Sequence, residues 1–326
     1  MNELFGVLFF WITLVIWLPA ALFLIGWWRV LSPRGLATAP TRRSTLSLPV
    51  IGGVIVLYIL LESALGVGAY AGGWLTKEDL GFAETATTLP VVTTQAAPDT
   101  APAAPEAPVA PPARKMSKEV KLNIIGVLAY LLTAVPMLIV IPRFFREGFA
   151  GWGLSWRQLA AGVGRGLTGF SVVYPIVFAV MFGVSLLYEK VGHKVPEHPT
   201  MEAFGETQAL WEKAFLLFVA VGVAPFMEEL FFRGVVQTTL VQYGWGALVP
   251  QFMPKGAVPL DARPSAAHRW GAIAIASLGF AFMHQLEHVP IIFVLSLGLG
   301  YVYERTGILW ASIALHAAFN GLEMAL

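Results

Sequence analysis

Glu228, Glu229 and Arg233 close an otherwise uncharged apolar run, in the stretch APFMEELFFR (224–233). Ionisable side chains are expensive in hydrocarbon and are usually either functional or paired. Residues four apart on a helix share a face, so Glu229 and Arg233 can form an ion pair that lowers the cost of both. Glu228 lies about 100° around the helix and cannot share the arginine equally, which leaves a carboxylate for another role. Pro225 has no N–H, so in an α-helix the carbonyl of Val221 loses its partner and a local kink is expected. Taken alone, the stretch is explained as well by a buried structural ion network.

Other polar residues stand in apolar segments. Phe280 and His284 are four apart, as are His316 and Asn320, so each pair presents one helix face. A lone histidine in a helix is more often a packing residue than a catalyst, but Glu, His and His plus Asn on three separate spans are harder to dismiss. A carboxylate and a histidine can hold and deprotonate a water. A second histidine and an amide can donate to a developing oxyanion. That set suffices to hydrolyse an amide without a covalent intermediate. His284-Gln285-Leu286-Glu287-His288 also matches the inverted zinc-protease signature H-x-x-E-H, with both histidines on one helix face as zinc requires. Against it, Pro290 is expected to end that helix and leave Glu287 and His288 as interfacial polar residues. Glu62 is the remaining outlier; a hydrogen bond to a neighbouring helix accounts for it better than a transport pathway does.

These residues need helices within a bilayer to hold them. Of 326 residues, 57% are hydrophobic and 13% charged, too little charge to cover a soluble protein of this size, so the chain reads as an all-α polytopic membrane protein. A net charge of +1 gives no reason to expect nucleic acid, and the absence of cysteine excludes disulfides, a thiol nucleophile and thiolate metal sites. Apolar runs predict about eight spans: 4–28, 48–74, 122–141, 166–188, 214–232, 271–289, the short 290–303, and 308–326. Between the second and third, residues 85–115 carry seven prolines amid alanine and threonine, which reads as an extended linker outside the membrane. The expected organisation is a transmembrane helical hairpin at 1–75, a Pro/Ala-rich linker at 76–118 and a catalytic-type core at 119–326. Residues 148–161 (GFAGWGLSWRQLAA) read as an interfacial or a plain connecting helix. Basic residues after spans one, three, five and seven place both termini on the outer face.

In this order, Glu-Glu-x-x-x-Arg at 228–233, Phe-x-x-x-His at 280–284 and His-x-x-x-Asn at 316–320 resemble the CPBP family of intramembrane proteases. That family includes the CAAX prenyl endopeptidases and Abi-type bacteriocin-processing or immunity proteins. The segment LGLGYVYERTGILWASIALHAAFN (297–320) is similar to the family's closing region, and the resemblance runs roughly over 154–326. It implies that Glu228 and His284 activate water, that His316 and Asn320 stabilise the oxyanion, and that Glu229 and Arg233 are structural partners. The resemblance leaves a divalent metal such as zinc open, with Glu228, His284 and His316 as its candidate ligands. The implied substrate is a membrane-anchored peptide or protein in the lipid bilayer of a bacterial-type cell membrane. The alternative is a catalytically silent scaffold or subunit whose N-terminal hairpin contacts a membrane-protein partner.

Overall fold

The computed structural model describes residues 2–27, 33–42, 44–80, 116–193, 196, 199–207, 209–243 and 263–326; the expected linker lies outside them from 81 to 115. Among the described residues the chain is helical, with one isolated extended bridge between Ser44 and Phe145. Six helices are long and apolar enough to cross a membrane: α1 (Gly6–Gly26), α2 (Leu48–Ala71), α3 (Lys118–Phe144), α4 (Trp156–Lys190), α5 (Leu210–Gln242) and, after the shorter α6 (Ala266–Phe282), α7 (Leu286–Thr306). The chain closes with α8 (Leu309–Glu323). The expected count of about eight is not confirmed among the described residues: α6 and α8 have only 17 and 15 residues. At about 1.5 Å per residue these fall short of the roughly 30 Å of hydrocarbon. Both bury much of their surface against neighbouring helices, so protein covers them over much of their length.

The boundary between α6 and α7 also differs from the sequence reading. Instead of one span over 271–289 ended by Pro290, α6 stops at Phe282, and Pro290 lies in the first turn of the helix that follows. First-turn amides have no intrahelical partner, so a residue without N–H loses nothing there. The side chain of Ser265 caps α6 by accepting from the His268 amide at 3.2 Å, and Ser117 caps α3 on Val120 at 3.3 Å. Residues 148–161 are not one helix. A short turn of helix, Gly148–Trp152, ends at Gly153 with φ +83°. A Cβ at Gly153 would strike the Gly307 carbonyl and the Leu309 amide, and that amide donates to the Gly153 carbonyl at 2.8 Å.

Small residues set the closest helix approach. Gly162, Gly166 and Gly169 of α4 present bare backbone to Trp310, Ala311, Ala314 and Leu315 of α8, as small residues do at helix interfaces in membranes. Tyr174, Val177, Leu295, Leu299, Leu315 and Phe319 fill the core between α4, α7 and α8. His316, next to Leu315, is therefore carried on a helix with little freedom to shift. The two N-terminal spans find different partners: Trp17 of α1 packs against Tyr174 of α4, ring centroids 5.2 Å apart, while Tyr58 of α2 stacks on Tyr130 of α3 at 5.2 Å.

The segment joining α1 to α2 is stapled to the core. Glu304 of α7 is fully buried and accepts from both Arg42 and Arg269. Arg269 also donates to the Pro40 carbonyl at 3.0 Å, and Arg42 lies 4.1 Å over the Tyr303 ring. Gln237 of α5 joins the same cluster, donating to the Gly300 carbonyl at 3.0 Å and to Glu304 at 3.4 Å. Buried charges are tolerated only when paired and hydrogen-bonded, and here one carboxylate holds two guanidiniums.

Candidate active site

The paired glutamates stand where α5 changes register. Val219–Val223 is π-helical, Ala224–Glu229 is α-helical and Leu230–Gln237 is π-helical again; such wide turns are frequent at functional sites. At the five-residue spacing of the first wide turn, the carbonyl of residue 220 has residue 225 as its partner. That residue is Pro225, without an N–H, so it is the Ala220 carbonyl that is left over. The Asn320 side chain donates to it at 2.8 Å. The sequence reading, on α-helical spacing, named the neighbouring Val221 carbonyl as the one freed.

Glu229 is fully buried and Arg233 almost so. Arg233 Nη1 lies 3.1 Å from Glu229 Oε1, and its Nη2 donates to Ser296 Oγ at 2.8 Å. The guanidinium also sits 4.7 Å over the Phe280 ring. His316 is set between the two carboxylates, with Nδ1 3.1 Å from Glu229 Oε1 and Nε2 3.7 Å from Glu228 Oε2. The Glu228 side chain keeps 21% of its exposure, whereas that of Glu229 has none. The adjacent carboxylates therefore differ in access: one is locked into the protein and the other is open.

His284 lies just past the end of α6, its Nδ1 2.9 Å from the Phe280 carbonyl and its ring 4.8 Å from the Phe280 ring. Phe280 also meets His316 edge-on at 5.8 Å, so one aromatic ring separates and orients both histidines. Glu228 is within electrostatic reach of both. The geometry thus gathers Glu228, Glu229, Arg233, His284 and His316 around Phe280. Asn320 is one turn further along α8, with one of its two N–H groups already given to Ala220.

The inverted zinc signature does not survive the fold. Gln285 is extended (φ −59°, ψ +141°) and residues 286–288 form a separate 3₁₀ turn, so His284 and His288 do not share a helix face. Among the described residues no three His, Cys, Asp or Glu side chains are grouped to hold a metal ion. His316 also spends Nδ1 on Glu229.

Sequence reasoning missed Ser296 and the Gln237–Glu304 cluster beside the site. Ser296 had no signal, being a small polar residue in an apolar helix. Glu304 had one: a carboxylate directly after the expected span 290–303, to which the sequence reading gave no role.

Residues 210–322 match the family described as Type II CAAX prenyl endopeptidase Rce1-like. The match spans α5 to α8 with all three motifs, and supports assigning this region to the CPBP family of intramembrane proteases. With six apolar helices long enough to cross a bilayer, the chain is an integral membrane protein. No curated protein and no solved structure matches the chain.

Proposed function

We propose that the chain is an intramembrane endopeptidase that hydrolyses a membrane-anchored peptide or protein through water activated at Glu228. The observation that carries this reading is the asymmetry of the adjacent carboxylates, Glu229 closed on Arg233 and His316, Glu228 open. Glu228 takes a proton from a water held between it and His284, and the hydroxide attacks the peptide carbonyl. The negative charge that develops on the carbonyl oxygen is met by N–H donors from His316 and from the free N–H of Asn320. Because His316 Nδ1 is turned to Glu229, Nε2 is the ring nitrogen that faces Glu228 and the bound carbonyl. Glu228 then returns the proton to the leaving nitrogen as the C–N bond breaks, giving a carboxylate and an amine.

The low dielectric around Glu229 and Arg233 strengthens the pair that holds this geometry. The test is cleavage of membrane-anchored reporter peptides by the purified protein in nanodiscs, with Glu228→Gln as the comparison. Hydrolysis by the wild type that the variant lacks supports the reading; equal turnover by both overturns it.

A further inference from the structure

Glu62 is exposed just past the middle of the 24-residue α2, and no described cation pairs with it. A carboxylate at that depth is expensive unless something meets it. Its polar neighbours are Tyr58, one turn earlier on the same face, and Tyr130 of α3. The Tyr58 and Tyr130 rings stack at 5.2 Å and 25°, and both hydroxyls lie within electrostatic reach of Glu62. Both tyrosines are also within electrostatic reach of Glu228. A polar track therefore runs from the open carboxylate of the site to an exposed carboxylate on α2.

We propose that Glu62, with the stacked Tyr58 and Tyr130, forms a subsite for a basic side chain of the substrate, lysine or arginine, near the bond presented to Glu228. The chemistry is complementary on each side: a carboxylate supplies the counter-charge, tyrosine oxygens accept from an ammonium or guanidinium, and aromatic faces attract cations. A lipid ammonium stays at headgroup level, whereas Glu62 is deep in the span. Calcium and magnesium take six or more oxygen ligands, more than one carboxylate and two hydroxyls supply. The subsite rests on the proteolytic reading of Glu228.

The experiment uses the full chain in phosphatidylcholine nanodiscs and membrane-anchored peptides with Lys, Ala or Glu scanned through positions beside the scissile bond. The readout is the ratio of kcat/KM for the Lys and Ala peptides, for wild type, Glu62→Gln and Glu62→Lys, with thermal melting as the folding control. At the best position the wild type is expected to prefer Lys by about tenfold, the worth of one charge pair. The ratio falls toward one in Glu62→Gln, and Glu62→Lys shifts the preference to the Glu peptide. Should Glu62→Lys not fold, Glu62→Gln alone decides. A Lys preference unchanged by the variants, or absent from the wild type, overturns the subsite and makes the tyrosine–glutamate contact a packing device only. If the wild type cleaves nothing, the proteolytic reading fails separately. Fluorescent Lys and Ala peptides then read binding: a Lys preference lost in Glu62→Gln supports the subsite, and equal binding overturns it.

Discussion

His316 Nδ1 and Glu229 Oε1 are 3.1 Å apart, and that same carboxylate oxygen is 3.1 Å from Arg233 Nη1. Glu229 thus links α5 to α8 and balances a buried guanidinium, while Glu228, one residue before it, reaches His316 only at 3.7 Å and has no ion pair with Arg233. Glu229→Gln is expected to leave Arg233 as an unpaired buried cation, at a cost of about 3–5 kcal/mol, and to lower the melting temperature in detergent. Glu228→Gln is expected to abolish hydrolysis with the melting temperature held. Melting and peptide cleavage on both variants check this; full turnover in Glu228→Gln would reverse the division of roles.

The two histidines that a zinc motif and a water-activating site would use differently are His288 and His316. His288 lies in the 3₁₀ turn that opens α7, away from the face His284 occupies, so His288→Ala is expected to be nearly silent. His316→Ala removes a donor to the developing oxyanion and is expected to lower kcat about 10²–10³-fold, roughly 3–4 kcal/mol. One peptide-cleavage assay compares them. An inactive His288 variant beside an active His316 variant would refute the assignment.

What the sequence made legible was local. Four-residue spacing pairs Glu229 with Arg233, and apolar runs find the long helices, because both depend on neighbours within one or two turns. The rest depended on contacts distant in the chain. Pro290 reads as a stop or a start, and only the turn at Gln285 decides between them. The wide turn at 219–223 leaves the Ala220 carbonyl for Asn320, a change of register that composition does not encode. Glu304 draws in Arg42 from 262 positions earlier, a pairing no periodicity reveals. The open side of Glu228 and its neighbours Tyr58 and Tyr130 likewise exist only after α2 and α3 pack together.

A clasp ties the two ends of the linker region. Asp79 meets Lys121 at 2.8 Å and accepts from the Thr76 amide at 2.8 Å. The bond from Lys121, then that amide, hold the Asp79 carboxyl at about 2, below its ordinary 3.8. The folded state therefore binds fewer protons than the unfolded one in that interval. The clasp's contribution is complete above 3.8 and is lost as pH falls to about 2. Unfolding wild type and Asp79→Asn across this range checks it: the gap between them should close on acidification, and a gap independent of pH would contradict the clasp.

The composition of residues 85–115, rich in proline and poor in large apolar side chains, predicts the first cut in limited proteolysis. The nicked protein is expected to keep hydrolysing, because Asp79–Lys121 and the Tyr58–Tyr130 stack join α2 to α3 on either side of the cut. Size exclusion in detergent followed by peptide cleavage tests this. Separation of the fragments, or loss of turnover on nicking, would show that the linker itself holds the site together.

One carboxylate and two guanidiniums at Glu304, Arg42 and Arg269 make an asymmetric prediction. Removing the anion leaves two buried cations without a counter-charge, whereas removing one cation leaves a neutral pair. Glu304→Gln is therefore expected to cost at least the 3–5 kcal/mol typical of a broken buried pair. It should also expose the 36–46 segment, whose Ala39 and Pro40 carbonyls Arg269 holds. Arg42→Met keeps Arg269 paired with Glu304 and retains an apolar stem against the Tyr303 ring, so its cost is expected to be smaller by several kcal/mol. Denaturant unfolding in detergent measures both. If Arg42→Met destabilises as much as Glu304→Gln, the stacking of Arg42 on Tyr303, and not the balance of charge, is what fastens the N-terminal segment to the core.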